Sequence, residues 1–165
     1  MTLEAQIAQT FSAKMTGAAG VNTLTTGIGS IPVMSQSYTN GMGAGQINKC
    51  WFKTKDLTAG SSDTWDLTSG LTDHEGNAVV FTGIKELIVA VITPDGTKKV
   101  VVGNAASNSF QGKLSAGSTE DCFYYARWPK PDASGYAVDS THKNLKINNP
   151  GASTVTYFIL ALGIG

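Results

Sequence analysis

One stretch, residues 84–102, constrains the fold of this chain more than any other. Residues 84–92 form a continuous run rich in β-branched side chains that is too short for a typical helix, and residues 98–102 form a second such run. Between them stands Pro94-Asp95-Gly96, a turn sequence in which proline fixes φ, aspartate bonds its own backbone and glycine accepts positive φ. The pattern predicts a β-hairpin. Because a strand that is apolar on both faces needs cover on both faces, we expect this hairpin in the middle of a β-structure.

The rest of the chain from Ile47 onward alternates between short strand-like segments and turn clusters. About eight or nine strands with a turn every ~8–12 residues are typical of a sandwich or barrel. We expect one strand at Glu120–Trp128 and a second doubly apolar strand at Thr154–Leu162. The prediction is therefore an all-β protein, a jelly-roll-like β-sandwich over residues 47–165. Its doubly apolar strands are expected to lie between the second sheet on one side and either the N-terminal arm or a neighbouring subunit on the other.

Residues 1–46 differ in composition and are predicted to form an extended N-terminal arm. Glu4 and Lys14 are the only charged residues there, and the apolar side chains are too scattered for a core. Helical spacing predicts a short amphipathic helix over Thr2–Lys14, and the glycine run Gly41–Gly45 is interpreted as a hinge. The arm is expected to bury its apolar residues against a partner subunit or a capsid. The predicted oligomer and capsid contacts are Leu3, Ile7, Phe11, Val21, Leu24, Ile28, Ile31, Val33 and Met34.

Charge and composition limit the classes of partner. Twelve basic and twelve acidic residues give a formal net charge of zero, which argues against nucleic acid or an anionic membrane surface as partner. Charged residues make up 15% of the chain, below the usual quarter, so we expect either a small uncharged-polar β protein or a subunit that buries much of its surface in an assembly. No membrane span or signal peptide is expected.

The candidates for chemistry are weak. Asp139-Ser140-Thr141-His142 has the residue types of a hydrolase triad, but sequence neighbours are not expected to supply its convergent geometry. His74 and His142 lie in turns without metal-ligand spacing, and Cys50 and Cys122 are expected to be buried free thiols. The sequence therefore predicts no enzyme, no cofactor and no metal site.

Two aromatic residues suggest a different kind of site. Trp128 and Tyr136 flank the proline-rich stretch Pro129–Gly135, which is predicted to be a rigid surface loop. One interpretation is an exposed groove for a sugar or a surface receptor. The other is the edge of the core or a contact between subunits.

A set of turn and strand motifs resembles a group of small tailed-bacteriophage virion structural proteins, the capsid decoration or cement-like β-sandwich proteins. The resemblance covers roughly Lys49 to the C-terminus, and Thr119-Glu120-Asp121 replaces the Pro-Gly-Gly that is usual in that group. The matching segments are Lys49–Trp51, Leu57–Gly60, Asp66-Leu67, Leu71–Asn77, Phe81–Lys85, Val102–Gly112, Gly135–Val138 and Val155–Tyr157.

The resemblance implies a structural virion component without catalysis. The leading hypothesis is a capsid decoration protein made in the host cytoplasm and placed on the capsid surface, where it would stabilise the head by bridging major capsid subunits. It is expected to be a homo-oligomer, most simply a trimer, with itself and the major capsid protein as partners and with neither nucleic acid nor membrane. The alternative is a tail, baseplate or head-fibre component that binds a receptor or glycan.

Overall fold

The computed structural model describes residues 5–19, 22–73, 75–92 and 97–165, with side chains described from residue 36 onward. The described chain is almost entirely β-structure, with a 3₁₀ helix at Gly112–Leu114, and the all-β prediction is confirmed. It divides into two compact units, a hairpin unit within Glu4–Thr39 and a body within Asn40–Gly165. The strands are β1 (Ala5–Ala19), β2 (Asn22–Asn40), β3 (Gln46–Ile47), β4 (Lys49–Leu57), β5 (Ser62–Asp66), β6 (Leu71–Thr72), β7 (Ala78–Val79), β8 (Gly83–Val91), β9 (Val100–Val102), β10 (Glu120–Cys122), β11 (Tyr125–Pro129), β12 (Tyr136–Ala137), β13 (Asn144–Asn148) and β14 (Val155–Ile164).

The hairpin unit consists of β1 and β2, which pair antiparallel from Ala5 opposite Tyr38 to Ala19 opposite Asn22. The helix expected over Thr2–Lys14 is therefore wrong for the described residues. The spacing behind it was ambiguous, because positions four residues apart share one face of a helix and equally one face of a strand. The β1–β2 ladder has two register shifts, one between Gln9 and Thr10 and one between Ala13 and Lys14.

The body is a β-sandwich of two antiparallel sheets. One sheet has the strand order β11-β8-β14-β4, with β12 beside β8, and the other has the order β10-β9-β13-β5. These two rows contain eight strands. If the eight are numbered 1 to 8 in chain order, the first sheet has the order 6-3-8-1 and the second has the order 5-4-7-2. The two antiparallel sheets confirm the predicted sandwich, and its jelly-roll form stays a prediction.

The strongest local prediction, a hairpin between residues 84–92 and 98–102, is wrong. β8 pairs with β11, β12 and β14, whereas β9 pairs with β10 and β13 in the opposite sheet. The chain therefore crosses from one sheet to the other between these strands. Residues 93–96, which include the predicted turn, lie outside the described residues. Turn chemistry specifies a change of direction but does not specify which strand receives the returning chain.

The single strand predicted at Glu120–Trp128 is two strands. Glu120–Cys122 pairs with β9, and Tyr125–Pro129 pairs with β8 in the other sheet. Phe123 and Tyr124 make the crossing and remain exposed, at 41% and 60%. The sequence has no glycine or proline at this point, so the break was invisible to turn rules.

The core lies between the inner faces of the two sheets. As predicted, Val89, Val91, Tyr157 and Ile159 are buried. Ile88 is an exception, because it points to the outer face of its sheet and is half-buried. The core also holds Trp51, Leu57, Leu67, Phe81, Leu87, Val100, Val102, Phe110, Leu114, Cys122, Leu145 and Ile147.

A polar network ties the two sheets together at one end of this core. Tyr157 is fully buried; its hydroxyl accepts a hydrogen bond from Trp65 Nε1 (3.0 Å) and donates one to Asp63 Oδ2 (2.8 Å). Lys55 Nζ reaches the other oxygen of Asp63 at 2.6 Å, and it lies 5.5 Å from the centre of the Trp65 ring. Burial, followed by the bond to Asp63, strongly raises the pKa of Tyr157, so the phenol stays neutral.

The glycine run Gly41–Gly45, which was predicted to be a hinge, forms a turn that several hydrogen bonds hold in place. Gly41 N donates to Ile47 O (3.0 Å) and Gly45 N donates to Pro131 O (2.8 Å). The Lys85 ammonium, fully buried in β8, donates to the backbone carbonyls of Met42 and Gly43. Burial lowers the pKa of Lys85. In the sequence, Lys85 stands within an apolar strand, and no local pattern indicates that its ammonium group binds the backbone of the turn at residues 41–45.

Candidate functional site

The outer face of the five-stranded sheet carries an exposed apolar surface, which we call the outer patch. Phe52, Ile92 and Tyr125 are exposed to 50%, 51% and 47%. The other members are half-buried. The outer patch consists of Phe52, Ile88, Ala90, Ile92, Tyr125, Phe158 and Leu160.

Strand register brings these residues together. Leu160 of β14 lies opposite Phe52 of β4 on one side and Ile88 of β8 on the other. One pair further along, Phe158 lies opposite Ala90, which in turn faces Tyr125. Side chains that lie opposite each other on one face are within contact distance, and the Phe52 and Phe158 rings are 6.4 Å apart between centroids. The patch is therefore continuous across four strands.

An ion pair at the margin of the outer patch compensates two of the charges on this face. Arg127 donates two parallel hydrogen bonds to Glu86, from Nε to Oε1 at 2.6 Å and from Nη2 to Oε2 at 2.7 Å. The two side chains are 8% and 0% exposed. A paired guanidinium and carboxylate in this geometry add no net charge to the apolar surface. A contiguous exposed surface of this kind typically marks a protein–protein contact.

A groove runs beside β4, along the edge of the same sheet, and we call it the edge groove. Its volume is about 750 Å³. Trp51 and Phe52 bring apolar surface to it, and Lys49 and Lys53 bring positive charge. Thr72, Ala78 and Val79 of the short β6–β7 hairpin also belong to the lining. The full lining is Asn40, Asn48, Lys49, Cys50, Trp51, Phe52, Lys53, Thr54, Thr72, Asp73, Asn77, Ala78 and Val79.

The predicted triad residues do meet, but in a geometry unsuited to nucleophilic catalysis. The Thr141 hydroxyl donates to Asp139 Oδ1 (2.7 Å) and lies 2.9 Å from His142 Nδ1. His142 Nδ1 is also 3.2 Å from Asp139 Oδ1. A triad reserves Nδ1 for the carboxylate and uses Nε2 against the nucleophile, whereas here both partners converge on one nitrogen. Bonds from the Thr141 hydroxyl and backbone, then from His142, lower the pKa of Asp139 to about 2.

The two thiols and the metal-ligand types form no centre in the described part of the chain. Both cysteines are free: Cys122 is buried and Cys50 is half-buried, so the expected burial holds fully for Cys122 alone. Burial raises the pKa of Cys122 to about 11, and it also raises the pKa of Cys50. Among the described residues no group of three or more His, Cys, Asp and Glu side chains could hold a metal ion. His74 lies outside the described residues.

The predicted aromatic surface loop is corrected in part. Trp128 belongs to β11, is 8% exposed and packs in the core. Tyr136 is half-buried, with its ring 5.7 Å from that of Phe110 and 5.4 Å from Lys130 Nζ. Both residues line a depression of about 400 Å³. The aromatic residues that reach solvent are others, chiefly Phe52 and the run 123–125.

The predicted arm contacts lie largely beyond what the structure describes. Leu3 and Val21 are outside the described residues. The remaining seven belong to β1 or β2, but their side chains are outside the described residues. These seven are Ile7, Phe11, Leu24, Ile28, Ile31, Val33 and Met34. Their role in partner binding stays a prediction.

Sequence reasoning anticipated part of the outer patch and missed the rest. The runs containing Ile88 and Leu160 have no polar face, which implied a need for outside cover. Phe52 and Tyr125 were missed because they stand among polar or aromatic neighbours in which exposed and buried positions look alike. The edge groove had no sequence pattern, since it depends on β4 ending a sheet.

Comparisons with protein-family models, with curated proteins and with solved structures found no match to this chain. Within the described residues no helix is long and apolar enough to cross a membrane. Fold and surface together define the class: an all-β sandwich whose body carries an uncovered apolar sheet face.

Proposed function

We propose that this chain is a structural protein of a bacteriophage virion, a capsid decoration protein that stabilises the head by bridging major capsid subunits. The observation that carries the proposal is the outer patch, an apolar sheet face with Phe52, Ile92 and Tyr125 about half exposed. The motif resemblance between Lys49 and the C-terminus supplies the virion context. Both point to a protein that works by contact rather than by chemistry.

The energetics of the outer patch suit such a role. Burying a half-exposed large apolar side chain contributes about 1–2 kcal/mol, so the three most exposed members supply several kcal/mol on docking. The balanced charge, twelve basic against twelve acidic residues, means that copies crowded on a lattice repel each other little. The proposed state is a homo-oligomer, a trimer being the simplest that suits a symmetric lattice point.

The proposal assigns no catalytic step to this protein. It is supported by the arrangement of Asp139, Thr141 and His142, in which the hydroxyl and the carboxylate share one ring nitrogen. Activity on an ester, phosphate or glycan substrate that is lost in His142→Ala would contradict this part of the proposal.

A second candidate function is favoured by the exposed aromatic run 123–125. Phe123 and Tyr124, at the crossing between the sheets, are 41% and 60% exposed, and Tyr125, the first residue of β11, is 47% exposed. Aromatic faces with a polar handle can stack on sugars or fill pockets of a receptor. A tail, baseplate or head-fibre component that binds a receptor or glycan would use such a run.

Copy number separates the two candidates. Quantitative gel densitometry or mass spectrometry of purified virions, scaled to the major capsid protein, gives the number of copies per particle. A decoration protein on a symmetric lattice is expected on the order of hundreds of copies. A count in the tens or fewer would reject the decoration role and support the tail or fibre role.

A further inference from the structure

The edge strand β4 leaves backbone hydrogen-bonding groups open. β4 pairs with β14 over nine positions, and no strand pairs with its other side among the described residues of the body. In an antiparallel pair every second residue directs both its N–H and its C=O away from the partner strand. The side-chain amide of Asn149 donates a hydrogen bond to the carbonyl of Leu57 (2.9 Å), so the open part of the edge comprises residues 49–56. Such an edge is a template for a further strand.

The edge groove provides room beside this edge. Its volume of about 750 Å³ lies within the range of about 300–1,000 Å³ that is usual for ligand sites. Trp51, which is 2% exposed, belongs to the lining, as do Thr72 and Val79 of the β6–β7 hairpin. An extended backbone lying there would run beside β4.

The charge of the groove indicates the chemistry of its occupant. Lys49 and Lys53 lie four residues apart on one face of β4, which is ~13 Å along a strand. Neither has a carboxylate within ion-pair distance among the described residues, whereas the next lysine on that face, Lys55, pairs with Asp63 at 2.6 Å. The carboxylate in the lining, Asp73, accepts bonds from the backbone of Glu75 (2.9 Å) and Asn77 (2.8 Å) in its own turn.

The same lysines oppose pairing of β4 with another β4. In a two-fold antiparallel pairing of edges centred on Trp51, Lys49 would lie opposite Lys53 of the second copy, and like charges directly opposite each other are destabilising. Lysines on an edge commonly serve only to prevent such association. Here they also flank a built groove, which a purely protective edge does not require.

We propose that the edge groove binds an extended segment of another polypeptide, which adds as a strand to β4 and places two carboxylates, four residues apart, against Lys49 and Lys53. Backbone hydrogen bonds to β4 provide affinity, and the two lysines provide selection. This is a second binding surface, which shares Phe52 with the outer patch, and it does not depend on the virion role.

The probe is a synthetic peptide, acetyl-Glu-Thr-Val-Thr-Glu-Val-Thr-amide with a fluorescent label, titrated with the full chain by fluorescence anisotropy at low salt. Three companions have glutamine for both glutamates, the second glutamate moved by one position, or N-methyl groups on alternate residues. The acidic peptide is expected to bind. The glutamine and shifted peptides are expected to bind about fivefold to tenfold more weakly, and the N-methylated peptide not at all.

The chain offers matched variants for this test. The double variant Lys49→Gln/Lys53→Gln should bind the acidic peptide about fivefold to tenfold more weakly than wild type. The control Lys113→Gln/Lys146→Gln removes the same charge at positions outside the groove and should bind the peptide with unchanged affinity. Amide hydrogen exchange should slow at alternate residues of 49–56 when the acidic peptide is bound. No binding at millimolar peptide, equal binding of all four peptides, or protection elsewhere than on β4 would each overturn the proposal.

Discussion

Replacing Tyr157 with phenylalanine removes one buried hydroxyl and nothing else. That hydroxyl accepts from Trp65 Nε1 at 3.0 Å and donates to Asp63 Oδ2 at 2.8 Å, and the Tyr157 side chain is fully buried. The ring stays in its site, so the change creates no cavity larger than an oxygen atom. What is lost is the polar connection between β14 and β5, which belong to opposite sheets.

The magnitude follows from the groups left behind. The half-buried Trp65 N–H loses its acceptor, which costs about 1 kcal/mol. The Asp63 carboxylate, 15% exposed, loses a donor but keeps Lys55 at 2.6 Å, which limits the second cost to about 1–2 kcal/mol. We expect Tyr157→Phe to lower the free energy of unfolding by about 2–3 kcal/mol and the Tm by about 5–10 °C.

Urea unfolding followed by circular dichroism measures this change, and Tyr125→Phe is the matched control. Tyr125 is 47% exposed, so its substitution should change the free energy of unfolding by less than about 0.5 kcal/mol. The m-value should be unchanged in both variants, since neither alters the surface exposed on unfolding. If Tyr157→Phe were as stable as the control, the network would not join the sheets as described.

Three further predictions concern faces, pH and thiols. Ile159→Asp, at a fully buried inner position, should unfold the body, whereas Ile88→Asp, half-buried on the outer face, should leave a folded protein destabilised by about 1–2 kcal/mol; equal effects in thermal melts would contradict the assignment of faces. Burial alone would raise the pKa of Asp66, but bonds from Lys143 (2.6 Å) and Thr68 outweigh it and lower the pKa to about 2. Because this lies below the unfolded value of about 3.9, the stabilisation of about 1–2 kcal/mol is complete above about pH 5 and is lost as the pH falls toward 2. Asp66→Asn should flatten this acid limb in urea titrations, and an unchanged limb would contradict the prediction. Cys122, buried and with its pKa raised to about 11, should resist iodoacetamide at pH 8 until the protein unfolds; mass spectrometry showing rapid labelling of the folded protein would contradict its burial.

The sequence predicted strands better than their partners. Runs such as 84–92 and 154–162 identified β8 and β14 and most of their buried residues, because apolar patterning reports burial directly. It could not predict that β8 and β9 join different sheets, since the local turn rules describe the connection alone. The break at Phe123 and Tyr124 could not be predicted for the same reason. The chain changes sheet there because β10 pairs with β9 whereas β11 pairs with β8.

The surfaces were harder to predict than the core. The need for cover on the outer face of β8 followed from its composition, but the hydrogen bonds of Lys85 to the turn 41–47 did not. A buried lysine in an apolar strand has no local pattern that names its acceptors. The edge groove exists because β4 ends its sheet, a property of the whole topology rather than of residues 49–57.

Co-sedimentation tests the central claim, that the outer patch attaches this protein to a particle. Particles assembled without the protein are mixed with full-length wild type, with Tyr125→Ser/Ile92→Ser from the outer patch, or with Met42→Ser/Val80→Ser. The second pair is comparably exposed, at 55% and 43%, but lies outside the patch. Wild type and the Met42/Val80 variant should pellet with the particles, and the outer-patch variant should need at least about tenfold more protein for the same occupancy. Equal binding of all three proteins, or no binding of wild type, would contradict the account.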